Sequence, residues 1–226
     1  MSIEVIIEVK DVSKTYKRGS ETVNAVSDIN LKLYEAELVV INGESGSGKS
    51  TLLNLMSGLD NPTKGTIKFL GEDVTSYSEK KLTDLRRHYV GFIFQSWELI
   101  DNLTAVENVE IPLYPDKEIG SAELRTKARE ILRRLELMDQ HHRKYPHELS
   151  GGQAQRVGIA RALVKSPKVI FADEPTANLD SDNTENIMRL LKLISRQGTT
   201  VIVASHSDRI MEYADKTIHL QDGRMS

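Results

Sequence analysis

From Leu38 to Gly58 the chain reads LVVINGESGSGKSTLLNLMSG, and no other stretch restricts the possible folds as much. Leu38 to Ile41 form an unbroken apolar run with the length of a buried strand. Ser50 to Gly58 carry the apolar spacing of a helix, which Gly58 is placed to end. Between them, Gly43, Gly48, Lys49 and Ser50 satisfy the pattern G-x-x-x-x-G-K-[ST]. A strand, a loop of small residues and a helix N-terminus together turn backbone N–H groups inward onto a chain of phosphates. An ordinary glycine-rich turn is the alternative, and the strand and helix flanks speak against it. Gly43, Glu44, Ser45, Gly46, Ser47, Gly48, Lys49, Ser50 and Thr51 are therefore expected to bind a nucleoside triphosphate.

The 226 residues suffice for one well-buried α/β domain and not for two large ones. A net charge of −3 gives no global basic field, so no nucleic-acid partner is expected. The absence of cysteine excludes disulfides, thiolate metal sites and cysteine nucleophiles, and it suits a reducing compartment. Glu4 and Glu8 interrupt the apolar N-terminus, unlike a secretory signal. No apolar run approaches the ~18 residues of a spanning helix, so a chain soluble by itself is expected.

Alternation in Asp28–Tyr34 and Gly65–Gly71 predicts half-exposed antiparallel strands. Lys168–Asp173 and Thr199–Ser205 are continuously apolar instead, as parallel strands covered on both faces are. Ile187, Leu190, Leu191 and Ile194 follow helical spacing, as do Ala128, Ile131, Leu132 and Leu135. From about Trp97 to Lys165 no strand is evident. Residues 1–226 therefore read as one domain, with a helical subdomain at roughly 97–165 inserted in a parallel-sheet core.

In VIFADEP, Asp173 and Glu174 fall at the C-terminal end of a buried strand, the edge where open α/β sheets bind ligands. Two adjacent carboxylates repel each other and favour a cation. A Mg²⁺ shared with a triphosphate meets that need, with Asp173 facing it and the Ser50 hydroxyl as a further ligand. Glu174 is left to polarise the attacking water as general base. A solvated acidic strand end is the usual meaning of an isolated Asp-Glu pair, and the phosphate loop makes it the minority reading here.

LSGGQAQRVGIARAL, Leu149 to Leu163, sets Ser150, Gly151 and Gly152 ahead of a helix with apolar Val157, Ala160 and Val164. This is a second group of free N–H donors at a helix N-terminus. By itself it could be a plain cap with a tight turn. A second phosphate cradle about 100 residues after the first has a more specific explanation.

GESGSGKST, the Gln95 of FIFQS, LSGGQ, VIFADE, the NLD after the carboxylates and the His206 of VASHS occur in that order. Together they resemble the ATP-binding cassette (ABC) family over essentially the whole chain. Within it, QSWELIDNLTAVENVEIPL and ADEPTANLDS are similar to the cassettes of lipoprotein-release and macrolide-export systems, with the cell-division cassette a close relative. The resemblance implies a phosphate-loop NTPase core with a mainly parallel sheet, an antiparallel β subdomain and an inserted α-helical subdomain. It also implies a head-to-tail dimer with each ATP between one chain's phosphate loop and the other's signature. On the matching motifs, Lys49 grips the β- and γ-phosphates, Thr51 reaches the α-phosphate, and Ser50, Gln95 and Asp173 hold Mg²⁺. His206 holds the γ-phosphate and the water. Across the interface the signature residues Ser150, Gly151, Gly152 and Gln153 meet the nucleotide, with Ser150 and Gly152 capping the γ-phosphate and Asp180 linking the two sites.

Tyr16 stands where the family keeps an aromatic stacked on adenine, although a tyrosine near a strand end is often packing. Two departures stand out. Glu44 puts a negative charge where many relatives have a small residue, and must point outward. Ala154 replaces a frequent glutamine at a position expected to be peripheral. Trp97, Leu99, Ile100 and Leu103 follow Gln95 where the family places its membrane-partner groove, and at least one of them is expected to line it. Tyr145 and Pro146 are weaker candidates for its far wall.

The leading expectation is an ATPase subunit on the cytoplasmic face of the cell membrane, bound through a separate permease and powering export or membrane extraction. A regulatory cassette that signals through a membrane protein is the alternative. A soluble cassette acting on DNA or ribosomes usually needs two fused cassettes or long coiled arms, which this chain lacks.

Overall fold

The computed structural model describes residues 4–19, 21–116 and 118–226, so the first three residues of the N-terminal stretch lie outside it. Strands β1 (Val5–Arg18) and β2 (Glu21–Tyr34) form a long antiparallel hairpin. In β2, Ile29, Leu31 and Leu33 are buried while Asn30 and Lys32 are exposed, the period-two pattern of a sheet with one wet face. Strands β4 (Lys64–Phe69) and β5 (Glu72–Asp73) extend this sheet in the order β2-β1-β4-β5.

The continuous apolar runs build a second sheet. Strands β3 (Leu38–Asn42), β6 (Val90–Ile93), β7 (Val169–Asp173), β8 (Thr200–Ser205), β9 (Lys216–Gln221) and β10 (Arg224–Met225) follow the order β10-β9-β3-β8-β7-β6. Every neighbouring pair is parallel except β9 with β10.

Alternation inside the buried strands divides them between two cores. Val39, Ile41, Phe171 and Ile202 face the antiparallel sheet, helix α1 (Lys49–Met56) and Leu82 of helix α2 (Glu79–Tyr89). Leu38, Val40, Ile170, Val201 and Val203 face helices α3 (Ala105–Glu110), α4 (Ser121–Arg134), α5 (Gly151–Leu163) and α6 (Ser181–Arg196). Ala128, Ile131 and Leu132 of α4 and Ile187, Leu191 and Ile194 of α6 bury their apolar stripes in this second core, with Leu190 packed against it. Between β6 and β7 the described residues contain α3, α4, α5 and short 3₁₀ turns, with no strand. The fold is α/β, a mainly parallel sheet joined to an antiparallel one and to a helical segment.

Register positions the site. Asn42 pairs with Ser205, Asp173 with Ala204, and Ile93 with Ala172. The four strands β3, β8, β7 and β6 therefore finish level with one another. The segments leaving them carry the phosphate loop, His206, Glu174 and Gln95 to one edge of the sheet.

Candidate functional site

A cleft of about 880 Å³ opens at that edge. Its walls include Gly43, Glu44, Ser45, Gly46, Gly48, Lys49, Ser50 and Thr51 from the loop and α1, together with Gln95, Asp173, Glu174 and His206. The loop is wrapped around its own lysine: Lys49 is buried, and its Nζ donates to the carbonyls of Gly43 and Glu44, both at 2.8 Å. An ammonium whose hydrogen bonds among the described residues go to two neutral carbonyls can exchange them for charged phosphate oxygens, which form stronger hydrogen bonds.

Glycine is required at both ends of the loop. A Cβ on Gly43 would lie 2.2 Å from the Leu220 carbonyl oxygen, and one on Gly48 would lie 2.3 Å from that of Ala25. Gly48 also has φ +102°, as the N-cap of α1. Glu44 is exposed, so its carboxylate stays out of the loop interior. Ser47 turns its hydroxyl into the protein, where Oγ has no partner among the described residues.

The adjacent carboxylates are in different environments. Burial is the main cause that pushes the Asp173 carboxyl up, and the neighbouring Glu174 charge adds to it; the Ser50 hydroxyl and Lys49 work against them. Asp173 Oδ1 is buried with no hydrogen-bond partner among the described residues. A buried acceptor beside a serine hydroxyl at the mouth of a phosphate loop fits a Mg²⁺ ligand. Glu174 has φ +48°, strained backbone for a residue with a Cβ. Its N–H donates to the Ala204 carbonyl at 2.9 Å, while its carboxylate accepts from Ser205 Oγ at 3.1 Å and meets His206 Nδ1 at 2.8 Å. That backbone turn and both side-chain contacts aim the carboxylate at the exposed His206. The Gln95 carbonyl accepts from Asn178 Nδ2 at 3.0 Å, which ties the strand-end glutamine to the segment after the carboxylates.

The signature lies elsewhere. Ser150 caps α5, its Oγ accepting from Gln153 N at 3.3 Å while Gln153 Oε1 accepts from Ser150 N at 3.1 Å. Gly152 leaves no room for a side chain: a Cβ would lie 2.7 Å from Asn183 Oδ1. Asp180 caps α6 and accepts from Asn183 N at 2.8 Å. None of Ser150, Gly151, Gly152, Gln153 or Asp180 lines the 880 Å³ cleft. One chain brings the phosphate loop, both carboxylates, Gln95 and His206 together, and keeps its signature apart from them.

Tyr16 stands at the rim of the cleft and not among its lining residues. It pairs across the hairpin with Val23, which does line the cleft, and the Thr51 hydroxyl is beside its phenol. Trp97 is half-buried with φ +62°, and its indole reaches 3.5 Å from where a Gly151 Cβ would sit. Leu99 packs on the second core, Leu103 is half-buried and Ile100 is exposed. Tyr145 is also exposed. The expectation for Ala154 is corrected: it is fully buried, because it faces inward along α5 with Gln155, Val157 and Gly158, which makes its small side chain a packing feature.

Five cleft residues escaped the sequence reading: Val23, Asn24, Ala25, Asn42 and Asp208. The first three come from the hairpin, by a tertiary approach with no local signature. Asn42 had a signal, a polar residue closing a strand whose other residues are all apolar. It is buried, accepts from Gly43 N at 2.9 Å and donates to Asp208 Oδ1 at 2.9 Å, pinning the first residue of the loop.

A phosphate loop between a buried parallel strand and a helix, facing a carboxylate pair across a strand-end cleft, defines an α/β nucleoside-triphosphatase. Residues 26–177 match the family described as ABC transporter, and the chain belongs to that family. Like the family's other ATP-binding domains, it is an ATPase. An uncharacterized ABC transporter ATP-binding protein of Methanocaldococcus jannaschii is 47% identical over 220 residues, covering 97% of both chains. The macrolide export ATP-binding/permease protein MacB of Escherichia coli (strain K12) is 43% identical over 221 residues, covering 97% of this chain and 34% of MacB. A dimeric, post-hydrolysis structure of the ATP-binding cassette MJ0796 of M. jannaschii, bound to ADP and Pi, superposes with a TM-score of 0.90 at 42% identity, covering 98% of this chain and 97% of that one.

Proposed function

We propose that this chain is the ATP-hydrolysing subunit of a membrane transporter, a single nucleotide-binding domain that works as a head-to-tail pair and drives export or membrane extraction through a separate permease. The observation that carries this reading is the exclusion of Ser150–Gln153 and Asp180 from the cleft that gathers the other motifs. A second copy is the natural source of the missing cradle, and the related MJ0796 cassette is described as dimeric. The name of the MacB relatives, which join an ATP-binding part to a permease, supports the membrane partner. Among the described residues no helix is long and apolar enough to cross a membrane. Attachment to the membrane therefore falls to the permease, with Trp97, Leu99, Ile100 and Leu103 as the candidate contact region. Residues from about 97 to 165 form the helical subdomain that carries both this region and the signature.

In the proposed mechanism the triphosphate enters the loop and Lys49 exchanges the Gly43 and Glu44 carbonyls for phosphate oxygens. Ser50, Gln95 and Asp173 would hold a Mg²⁺, which when bound supplies positive charge to the phosphates. Glu174 takes the proton of the attacking water, and His206, already in contact with that carboxylate, orients water and γ-phosphate. The partner's Ser150 and Gly152 close over the γ-phosphate, so hydrolysis is coupled to closing and opening of the pair.

Glu174→Gln tests the assignment of the base. The amide keeps the shape and cannot accept the proton, so ATP binding should persist, turnover should nearly vanish, and an ATP-bound dimer should accumulate on a sizing column. Near-normal hydrolysis by the purified variant would rule out Glu174 as the base.

A further inference from the structure

Beyond the loop, three side chains outside the cleft form a cluster that the mechanism does not use. Lys14 Nζ donates to Asp60 Oδ1 at 2.5 Å and to the Asn61 carbonyl at 2.7 Å, and it lies over the Tyr16 ring, 5.0 Å from its centroid. The Tyr16 hydroxyl donates to the other oxygen of the same carboxylate, Asp60 Oδ2, at 2.7 Å. The pair is largely shielded, with side-chain exposures of 13% for Lys14 and 29% for Asp60. Burial pushes the Asp60 carboxyl up, but the hydrogen bonds from Lys14, the Tyr16 hydroxyl and the Asn61 N–H, with the Lys14 charge, outweigh it and hold the carboxyl below its ordinary range.

We propose that Asp60 and Lys14 are positioning residues that hold the Tyr16 ring in place for the nucleotide base. A free tyrosine at a strand end turns about two side-chain bonds. Here the hydroxyl is anchored at Asp60 and one ring face is covered by the Lys14 ammonium. Tyr16 as a residue remains 40% exposed, which leaves surface for a stacked purine. The anchor's location gives it a second consequence. Asp60 lies in the short loop that leaves α1 through Gly58, and its N–H donates back to the Asn54 carbonyl at 3.1 Å. Thr63 then pairs with β1, its N–H to Ser13 O at 2.9 Å and its Oγ1 accepting from Thr15 N at 3.0 Å. One short helix thus presents its N-terminus to the phosphates and, through the loop at its other end, fixes the ring that meets the base. The separation between the two contacts is set by α1.

This inference rests on the stacking role of Tyr16, and the test separates the two. Affinities for ATP and for inorganic tripolyphosphate, which has no base, are measured by calorimetry on the full chain and on Tyr16→Ala, Asp60→Ala and Asp60→Asn. Tyr16→Ala should weaken ATP binding about 5- to 100-fold and leave tripolyphosphate unchanged. Asp60→Ala should weaken ATP alone by about two- to tenfold, the cost of ordering one freed side chain on binding. Asp60→Asn keeps the shape and one acceptor: its Oδ1 can still accept from Lys14, and its Nδ2 can donate to the Tyr16 phenol oxygen in place of the bond that oxygen now gives, so it should recover part of the loss. In Tyr16→Ala, adding Asp60→Ala should cost nothing more, since nothing remains to position. If Tyr16→Ala binds ATP normally, the stacking role falls and the inference with it. If Tyr16→Ala fails while Asp60→Ala binds ATP normally, stacking stands and the positioning role is wrong. An equal loss of tripolyphosphate in Asp60→Ala, unrelieved by asparagine, would make Asp60 a structural residue of the loop and would also overturn the inference.

Discussion

Alanine at Gly48 and alanine at Gly46 separate two requirements that a phosphate loop places on glycine. Both residues are left-handed, at φ +102° and +82°. Either substitution therefore costs about 1–2 kcal/mol of backbone strain. A Cβ on Gly46 meets nothing within 4 Å, so strain is its whole cost. On Gly48 the Cβ would stand 2.3 Å from the Ala25 carbonyl oxygen and 3.0 Å from Val26 Cγ1. The nearer obstacle is backbone of the β1–β2 hairpin and cannot rotate aside, so overpacking adds about 1–3 kcal/mol. In a chain of this size each 1 kcal/mol lowers Tm by about 2–4 °C, which places Gly48→Ala about 2–12 °C below Gly46→Ala. Circular-dichroism melts in EDTA without nucleotide read this difference free of any binding effect. Equal melts, or a lower Tm for Gly46→Ala, would refute the view that the hairpin confines the end of the loop.

Asp173 and Trp97 yield two further tests. Because burial raises the Asp173 carboxyl above its unfolded value, its charged form costs stability; the cost is absent below the unfolded pKa and complete above the raised folded one. Asp173→Asn should therefore raise Tm at neutral pH and narrow the gap to wild type as pH falls through that window, while abolishing the Mg²⁺-dependence of ATP binding; a lower Tm at neutral pH would contradict the buried-charge reading. Trp97 is only half-buried, so Trp97→Ala should cost less than the ~3–5 kcal/mol of a fully buried aromatic and impair assembly with the permease more than folding. A loss in the full range, measured by denaturant unfolding of the isolated subunit, would make it a core anchor.

How far the chain could be read from its letters depended on whether local pattern or distant contact decided an element. β3, β7 and β8 were legible because strands covered on both faces must be apolar throughout, and α6 because its stripe of Ile187, Leu191 and Ile194 is regular. β1 is hard to read as one long strand: the alternation of Ile7–Lys10 is short, and Asp11 at φ +52° accompanies register shifts that break the period before Val12. α2 buries only Leu82, which leaves almost no stripe to detect. In the cleft, the loop, Asp173 and Glu174 are marked by short patterns whose chemistry is local. The approach of Val23, Asn24 and Ala25 is fixed by how the hairpin packs on α1, and the Ser205 contact that steers Glu174 by the alignment of two strand ends.

In the proposed mechanism an active site needs two chains, and mixing two inactive variants tests this requirement most directly. A Lys49→Ala chain loses the buried ammonium of its phosphate loop. A Ser150→Arg chain blocks its signature cradle by bulk. Each homodimer then has two broken sites. A heterodimer places both lesions in one site and leaves the other with intact Lys49 facing intact Ser150. Differently tagged chains, co-purified at high concentration or co-expressed with the permease, are assayed for ATP trapped per confirmed heterodimer. The expected result is trapped ATP in the heterodimer and none in either homodimer. Confirmed heterodimers that trap no ATP would contradict this requirement, because a signature serving its own chain leaves every site in the mixture broken.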